Sequence, residues 1–481
     1  MMAQGDVQPT SSVLTELMAL RGLSLPPAGE VRITGNDPFF RAPFRIGETA
    51  AAALAAIGIA ANDIWESRTE RRQSVAIGVR QAAATLRTVD YTARRNAAGV
   101  FERVPLSAAH AHMLTVTQPW STRDGRWFLP HLNLPHLSAR VLGVLGCEST
   151  PEAVAAAVAQ WNADDLEEAI AAAGACGGTI RTPEEWLAHP QGQRLAKKPV
   201  IEIARDRDGP PQPFHPGARP LAGVRVLDLT RILAGPVGAR ALAEHGADVL
   251  MVTAAHLPQA PDHVRDTSHG KRSCFLDFRQ AADAARFAAL VREADVVFDG
   301  YRPGVLGQFG FAPDDLFKLK PDLVHVSISC FGSDGPFGGR AGWEQVAQAV
   351  TGVCHSNGVL TEAGRPKLVF APMCDYITGY LAAYGAMLAL ARRARQGGGY
   401  RVQASLCKSA MLVQRQGLLE TFDEAPERLD AHEVDAQSVV ADTSYGTLRT
   451  LGPALKLSET PCRWDRPTPQ LGGDAPEWLP R

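Results

Sequence analysis

The chain has 481 residues, 45% of them hydrophobic and 21% charged, with a formal net charge of −2. That length exceeds one ordinary domain, and the near-neutral balance excludes the electrostatic footprint of a nucleic-acid or anionic-membrane binder. Apolar runs such as residues 381–391 fall far short of the roughly 20 residues a spanning helix needs, so no membrane partner is expected.

Residues 1–25 lack the basic start and apolar core of a secretory signal. The eight cysteines are scattered with no C-x-x-C pair, which reads as reduced, mostly buried thiols in a cytoplasmic protein. Residues 1–207 are dominated by helical patterns, at 50–67, 151–161 and 163–173, with short strands at 74–79 and 125–129. They read as an α+β region containing a smaller domain. Residues 206–220 are rich in Pro and Gly, and 208–220 read as a linker.

From 221 onward strands and helices alternate. Strands are expected at 224–229, 248–252, 295–298, 323–328 and 402–406, and helices at 238–245, 281–293 and 376–395. The fold class is therefore α/β: a Rossmann-like, mostly parallel sheet domain over 221–481 beside the smaller α+β domain. The stretch from Asp465 to the end reads as mobile.

One internal echo stands out. Residues 51–79 and 378–406 share an Ala-rich helix, a basic stretch and a short apolar strand, with Val402 standing 327 residues after Val75. Chance similarity between Ala-rich helices competes with a degenerate second copy of the same unit. At that spacing Asp375 falls on Glu48, which reads as a structural helix-start residue.

The segment from Leu221 to Gly238 is a strand, a small-residue loop and a helix start, a place where backbone amides can meet an anion. It lacks the G-x-G-x-x-G pattern, which argues against a dinucleotide. The motifs that follow are Gly246-Ala-Asp-Val-Leu, Gly270-Lys-Arg-Ser-Cys-Phe-Leu-Asp, Ala294-Asp-Val-Val-Phe-Asp-Gly-Tyr-Arg-Pro-Gly, Pro321-Asp-Leu-Val-His-Val-Ser and Phe331-Gly-Ser-Asp-Gly-Pro. Then Asp375 opens a long helix. Taken in this order, they make the chain resemble the family III (CaiB/BaiF-type) CoA-transferases.

By position alone Asp375 is a helix cap. The resemblance makes it the catalytic nucleophile, attacking an acyl-CoA to give a mixed anhydride and then an aspartyl-CoA thioester. The helix N-terminus is expected to keep it ionised. The resemblance further implies that Lys271, Arg272 and Arg302 meet the phosphates of CoA and that Tyr301 covers the adenine. Gly300 and Gly304 would let the chain pass close to it. No tightly bound cofactor is implied: coenzyme A and acyl-CoA are substrates, the other partner is a carboxylic acid, and the assembly is a homodimer.

The departures from the family pattern lie at Leu233, Thr253 and Gln308, and they motivate a non-catalytic CoA-binding alternative. The related racemases carry a histidine where this chain has Trp343, which favours transfer over epimerisation. Residues 80–207 resemble the family's small domain, so that domain is expected to have moved to the front. His110, His112, His131 and His136 show no metal-ligand spacing, and Cys374 reads as packed and not as a nucleophile.

Overall fold

The computed structural model describes residues 12–480. Residues 1–11 and 481 lie outside them, and with them the first part of the stretch read for a leader. Among the described residues no helix is long and apolar enough to cross a membrane.

The largest sheet has seven strands. Its order is Lys271–Phe275, Asp248–Thr253, Arg225–Asp228, Val296–Asp299, Val324–Ser329, Gly399–Ser405 and Glu202–Arg207. The first six run parallel and the last is antiparallel. Strand Val296–Asp299 opens on the apolar run Val-Val-Phe, while Val324–Ser329 alternates apolar residues with His325, Ser327 and Ser329, and both are largely buried because helices cover the sheet. Numbered along the chain from Arg225–Asp228, the parallel strands follow the doubly wound order 3-2-1-4-5-6. The order reverses between Arg225–Asp228 and Val296–Asp299, and ligands of such sheets bind beyond the carboxyl ends of those strands.

The strand Glu202–Arg207 lies before the expected linker, yet it joins this sheet. At the other edge, the stretch from Asp465 onward is held against Lys271–Phe275. Asp474 N–H donates to the Ser273 carbonyl at 2.7 Å, Arg272 reaches the Glu477 carbonyl, and the Trp478 indole donates to the Leu290 carbonyl. The expectation of a mobile tail is thus corrected: the tail covers an edge strand that would otherwise present unpaired amides.

A separate apolar core, including Val116, Phe128, Val141, Val158, Leu166 and Ile170, marks the smaller α+β domain. It is built on the antiparallel strands Trp120–Ser121, Trp127–Pro130 and Gly177–Thr179. Thr150 and Asn162 stand at the starts of two of its helices, Pro151–Val158 and Ala163–Ala172. Helix Glu344–Val350 packs on two of these strands, Trp127–Pro130 and Gly177–Thr179, and on helices Met373–Gln396 and Leu406–Gln414, and so joins this domain to the rest of the chain.

The helix Met373–Gln396 is buried along nearly its whole length. It crosses helix Ala234–Ala243 at close range, and a Cβ on Gly379 would come within 2.5 Å of the Ala234 carbonyl oxygen. It also packs on helix Ile46–Thr69. Both helices have 24 residues and begin 327 positions apart. The helices that follow the next strands, Val79–Thr85 and Leu406–Gln414, begin at the same spacing.

Candidate active site

The loop between Asp228 and helix Ala234–Ala243 forms one wall of the site. Asp228 is fully buried and organises this loop through hydrogen bonds from the Thr230 amide and hydroxyl. Lys271 completes the arrangement: its ammonium donates to Asp228 Oδ2 at 2.7 Å and to the Pro236 carbonyl at 2.8 Å. Further along, Ile232 holds a left-handed backbone, φ 74°. For a β-branched residue that costs on the order of 1–3 kcal/mol, and such strain gathers at functional sites.

The second wall comes from the end of Val296–Asp299. Gly300, Tyr301 and Arg302 line a cleft of about 380 Å³ together with residues 229–235, Cys330, Trp343 and Asp375. This cleft lies at the topological switch point of the sheet. Its mouth is cationic. The Arg231 guanidinium stands 5.8 Å from the Tyr301 ring centre, and Arg302 and Arg140 both donate to the Gly174 carbonyl. Burial, together with the positive charges of Arg140, Arg231 and Arg302, lowers the pKa of His136 beside them. Arg140 and His136 belong to the smaller domain, so the cluster forms only when the two domains meet.

Asp375 occupies the first turn of helix Met373–Gln396 and is 9% exposed. It is not the cap. The capping role falls to Glu344, 3% exposed, whose carboxylate accepts from the Cys374 amide at 3.2 Å, the Asp375 amide at 2.6 Å and Gln348 Nε2 at 2.8 Å. Burial, and then the negative charge of Glu344, push the Asp375 carboxyl well above the usual carboxylate range. The expectation that the helix terminus keeps Asp375 ionised is corrected, because Glu344 has taken the amides that would have done so. Burial raises the Glu344 carboxyl as well, but the hydrogen bonds it accepts work against that rise, and these Asp375 lacks, so the charge of the pair favours Glu344. Burial and Glu344 also raise the Cys374 thiol, which leaves it a poor nucleophile.

A second, larger cavity of about 950 Å³ reaches the same carboxyl from another side. The two spaces share Leu134, Ile232, Leu233, Trp343 and Asp375 as lining residues. Trp343 stacks on the buried His131, with ring centres 4.9 Å apart. Its indole cannot carry a proton to and from carbon.

The structure therefore gathers Asp375, Gly300, Tyr301 and Arg302 around one cleft. Lys271 and Arg272 are not brought there. Lys271 is 1% exposed and buried against Asp228, while Arg272 pairs with Asp248 at 3.0 Å. Both are buried in the edge strand that the C-terminal stretch covers, where a charge survives only with a partner. Gly304 has φ 85° and lines neither cavity. A Cβ at Gly300 would stand 3.2 Å from Thr230, so this glycine serves the approach of the two loops. Arg140, Arg231 and Glu344 escaped the sequence reading, and His136 entered it only as a histidine without metal-ligand spacing. Only Arg231 carried a signal, its place in the βα loop at a switch point.

The family described as CoA-transferase family III matches residues 26–213 and 221–437. The chain is 34% identical over 332 residues to the acetyl-coenzyme A transferase nodX of Hypoxylon pulicicidum, covering 64% of this chain and 56% of that one. It is 33% identical over 224 residues to the succinyl-CoA:glutarate CoA-transferase of Mus musculus, covering 43% and 50%. Among solved structures, Rv3272 from M. tuberculosis aligns with a TM-score of 0.39 at 31% identity, over 41% of this chain and 56% of that one. The chain spans about half the length of the curated relatives it matches. Because the two matched segments take in most of its residues, the chain belongs to CoA-transferase family III.

Proposed function

We propose that the chain transfers coenzyme A between an acyl-CoA thioester and a carboxylic acid, with Asp375 as the covalent nucleophile. The observation that carries this reading is a single buried carboxyl at the meeting point of a cation-rimmed cleft and a larger cavity. A CoA phosphate entering the cleft would find Arg140, Arg231 and Arg302 with no carboxylate partner of their own among the described residues. The named relatives, an acetyl-coenzyme A transferase and a succinyl-CoA:glutarate CoA-transferase, support the same reaction class.

The steps follow from the chemistry of a carboxylate. An Asp375 oxygen attacks the thioester carbonyl, the C–S bond breaks, and CoA leaves as thiolate, giving an acyl-aspartyl anhydride. The thiolate attacks the aspartyl carbonyl and expels the donor acid, leaving an aspartyl-CoA thioester. The acceptor carboxylate attacks that thioester, and the thiolate then attacks the acceptor's carbonyl in the new anhydride. Acceptor acyl-CoA leaves and the Asp375 carboxylate is restored. Burial reduces the ionised fraction at low pH, but the ionised carboxylate is poorly solvated and strongly basic, which suits a nucleophile. Ile232, Leu233 and Trp343 surround the carboxyl with apolar surface that shields an anhydride from water. Trp343 in place of a second acid–base group favours transfer over epimerisation. A homodimer in the cytoplasm belongs to the same proposal through the family resemblance.

The test is acyl exchange followed by mass spectrometry, with acetyl-CoA or succinyl-CoA as donor and a panel of carboxylic acids as acceptors. New acyl-CoA should form, and hydroxylamine added during turnover should leave a hydroxamate on Asp375. Absence of exchange with every acid, or a tag on Cys374 in place of Asp375, overturns the proposal.

A further inference from the structure

We infer that the larger cavity is the acid-binding pocket and that it takes a bulky, mainly apolar carboxylic acid bearing a hydroxyl remote from its carboxylate. This deepens the transferase reading and rests on it.

The size argues first. At about 950 Å³ the cavity lies at the upper end of the range that buries a drug-sized ligand. A four- or five-carbon acid would leave most of it filled with water. Its wall is largely apolar, with Leu106, Met113, Leu114, Leu368, Val369 and Phe370 among the lining residues. Such a wall gains from a hydrocarbon body, which a small dianion lacks. The carboxylate end is placed at Asp375, the one carboxyl that lines both the cavity and the cleft assigned to CoA among the described residues.

The remote hydroxyl follows from two imidazoles in the wall. His110 lies on helix Ala108–Val116 and His263 on helix Pro261–Thr267, and their ring centres are 5.8 Å apart. His110 Nδ1 is 3.3 Å from Asp262 Oδ2, which holds that ring in the wall of the cavity. His263 also lines the cavity; its Nδ1 is buried out of reach without a hydrogen-bond partner, which leaves Nε2 as the ring atom a ligand can meet. A neutral imidazole in the wall of a ligand-sized space offers a donor or an acceptor to a ligand's polar group. Burial lowers the pKa of His263 to about 4, so the ring is neutral and suits a hydroxyl better than a second carboxylate. Arg365 and Lys367 stand exposed on the rim, where they would draw in an anionic acid without selecting its body.

The test uses the purified full chain with acetyl-CoA as donor and butyrate, dodecanoate and a series of monohydroxydodecanoates as acceptors. Each buried methylene is worth about fourfold, so kcat/KM for dodecanoate should exceed that for butyrate by on the order of 100-fold or more. The best hydroxydodecanoate should exceed dodecanoate by about tenfold, and His263→Phe should erase that preference. Ala109 is exposed and lines the cavity, so Ala109→Trp fills it without disturbing a packed core. That variant should lower the ratio of dodecanoate to butyrate by about tenfold or more. Exchange with butyrate at a rate within about threefold of dodecanoate sinks this inference and leaves the transferase reading standing. Exchange with no acid, together with no adduct on Asp375, sinks the transferase reading itself.

Discussion

Replacing Glu344 by glutamine tests the electrostatics of the site most directly. The Glu344 carboxylate holds two backbone amides of the helix start, at 3.2 and 2.6 Å, and is 3% exposed. Glutamine keeps one acceptor oxygen and turns an amino group toward the second amide. One buried N–H then loses its partner, a cost of about 1–3 kcal/mol. Removing the charge from the positive end of the helix adds about 0.3–1 kcal/mol. A loss of about 1–4 kcal/mol in chemical denaturation follows, offset in part because burial raises the Glu344 carboxyl and glutamine escapes that cost. The kinetic consequence has a definite sign. Burial and the Glu344 charge both raise the Asp375 pKa, and only the second vanishes in the variant. Since kcat/KM for acyl-CoA rises with pH as Asp375 ionises, the acid limb of its pH profile should move to lower pH. The assay is acyl exchange from about pH 5 to 9 for parent and variant. A limb that stays in place or moves to higher pH refutes the assignment of Glu344 as the charge that governs Asp375.

Asp375→Asn should abolish exchange while stabilising the fold. The folded-state pKa of Asp375 is raised, so the parent loses stability as pH climbs from about 4 through that raised value, and asparagine escapes this loss. The melting-temperature advantage of the variant should be larger at pH 8 than at pH 5, and the reverse order contradicts the reasoning. Lys271→Met leaves Asp228 buried without its ammonium partner and should cost on the order of 3–5 kcal/mol. A loss below about 1 kcal/mol in urea unfolding shows that the pair does not anchor the loop. Glu48→Gln should leave exchange within a few-fold of the parent, because Glu48 lines neither cavity. Silencing comparable to that of Asp375→Asn would mean two interdependent sites.

The parallel sheet was legible because buried strands are short apolar runs separated by amphipathic helices. The helix expected at 281–293 spans Ala281–Glu293 in the structure. Asp375 was legible only through its motif, since a carboxylate opening a helix looks like a cap. The real cap, Glu344, lies 31 residues away from Asp375 along the chain. The roles expected of Lys271 and Arg272 failed for the same reason. A basic residue at a strand start resembles a ligand contact until its buried partner, Asp228 or Asp248, is seen. The cationic mouth was illegible because Arg140 and His136 are brought to Arg231 and Arg302 by the docking of one domain on another. The tail from Asp465 lacks periodicity, so its attachment through Asp474, Glu477 and Trp478 left no trace in the sequence pattern.

The two 24-residue helices show what the site requires beyond a carboxylate at a helix start. Asp37 binds the Gly47 and Glu48 amides at 3.2 and 2.9 Å, as Glu344 binds those of Cys374 and Asp375. Burial raises Asp37 to about 6, so both helix starts are held by a carboxyl whose charge is costly. We read the first helix as a degenerate copy of the second. It shares the length, the cap and the acidic residue in the first turn, yet its surroundings differ. Glu48 is tied to Arg45 and to the Asp37 amide, and its side chain is 23% exposed. The strands nearest it, Val31–Thr34 and Val75–Gly78, belong to a three-stranded sheet without a switch point. The cap positions a carboxylate in both places. Only at Asp375 do the loops after Arg225–Asp228 and Val296–Asp299 face that carboxylate, bury it and supply cations at the cleft mouth. The chemistry proposed for this chain therefore depends on the reversal of strand order in the large sheet, which the first helix lacks.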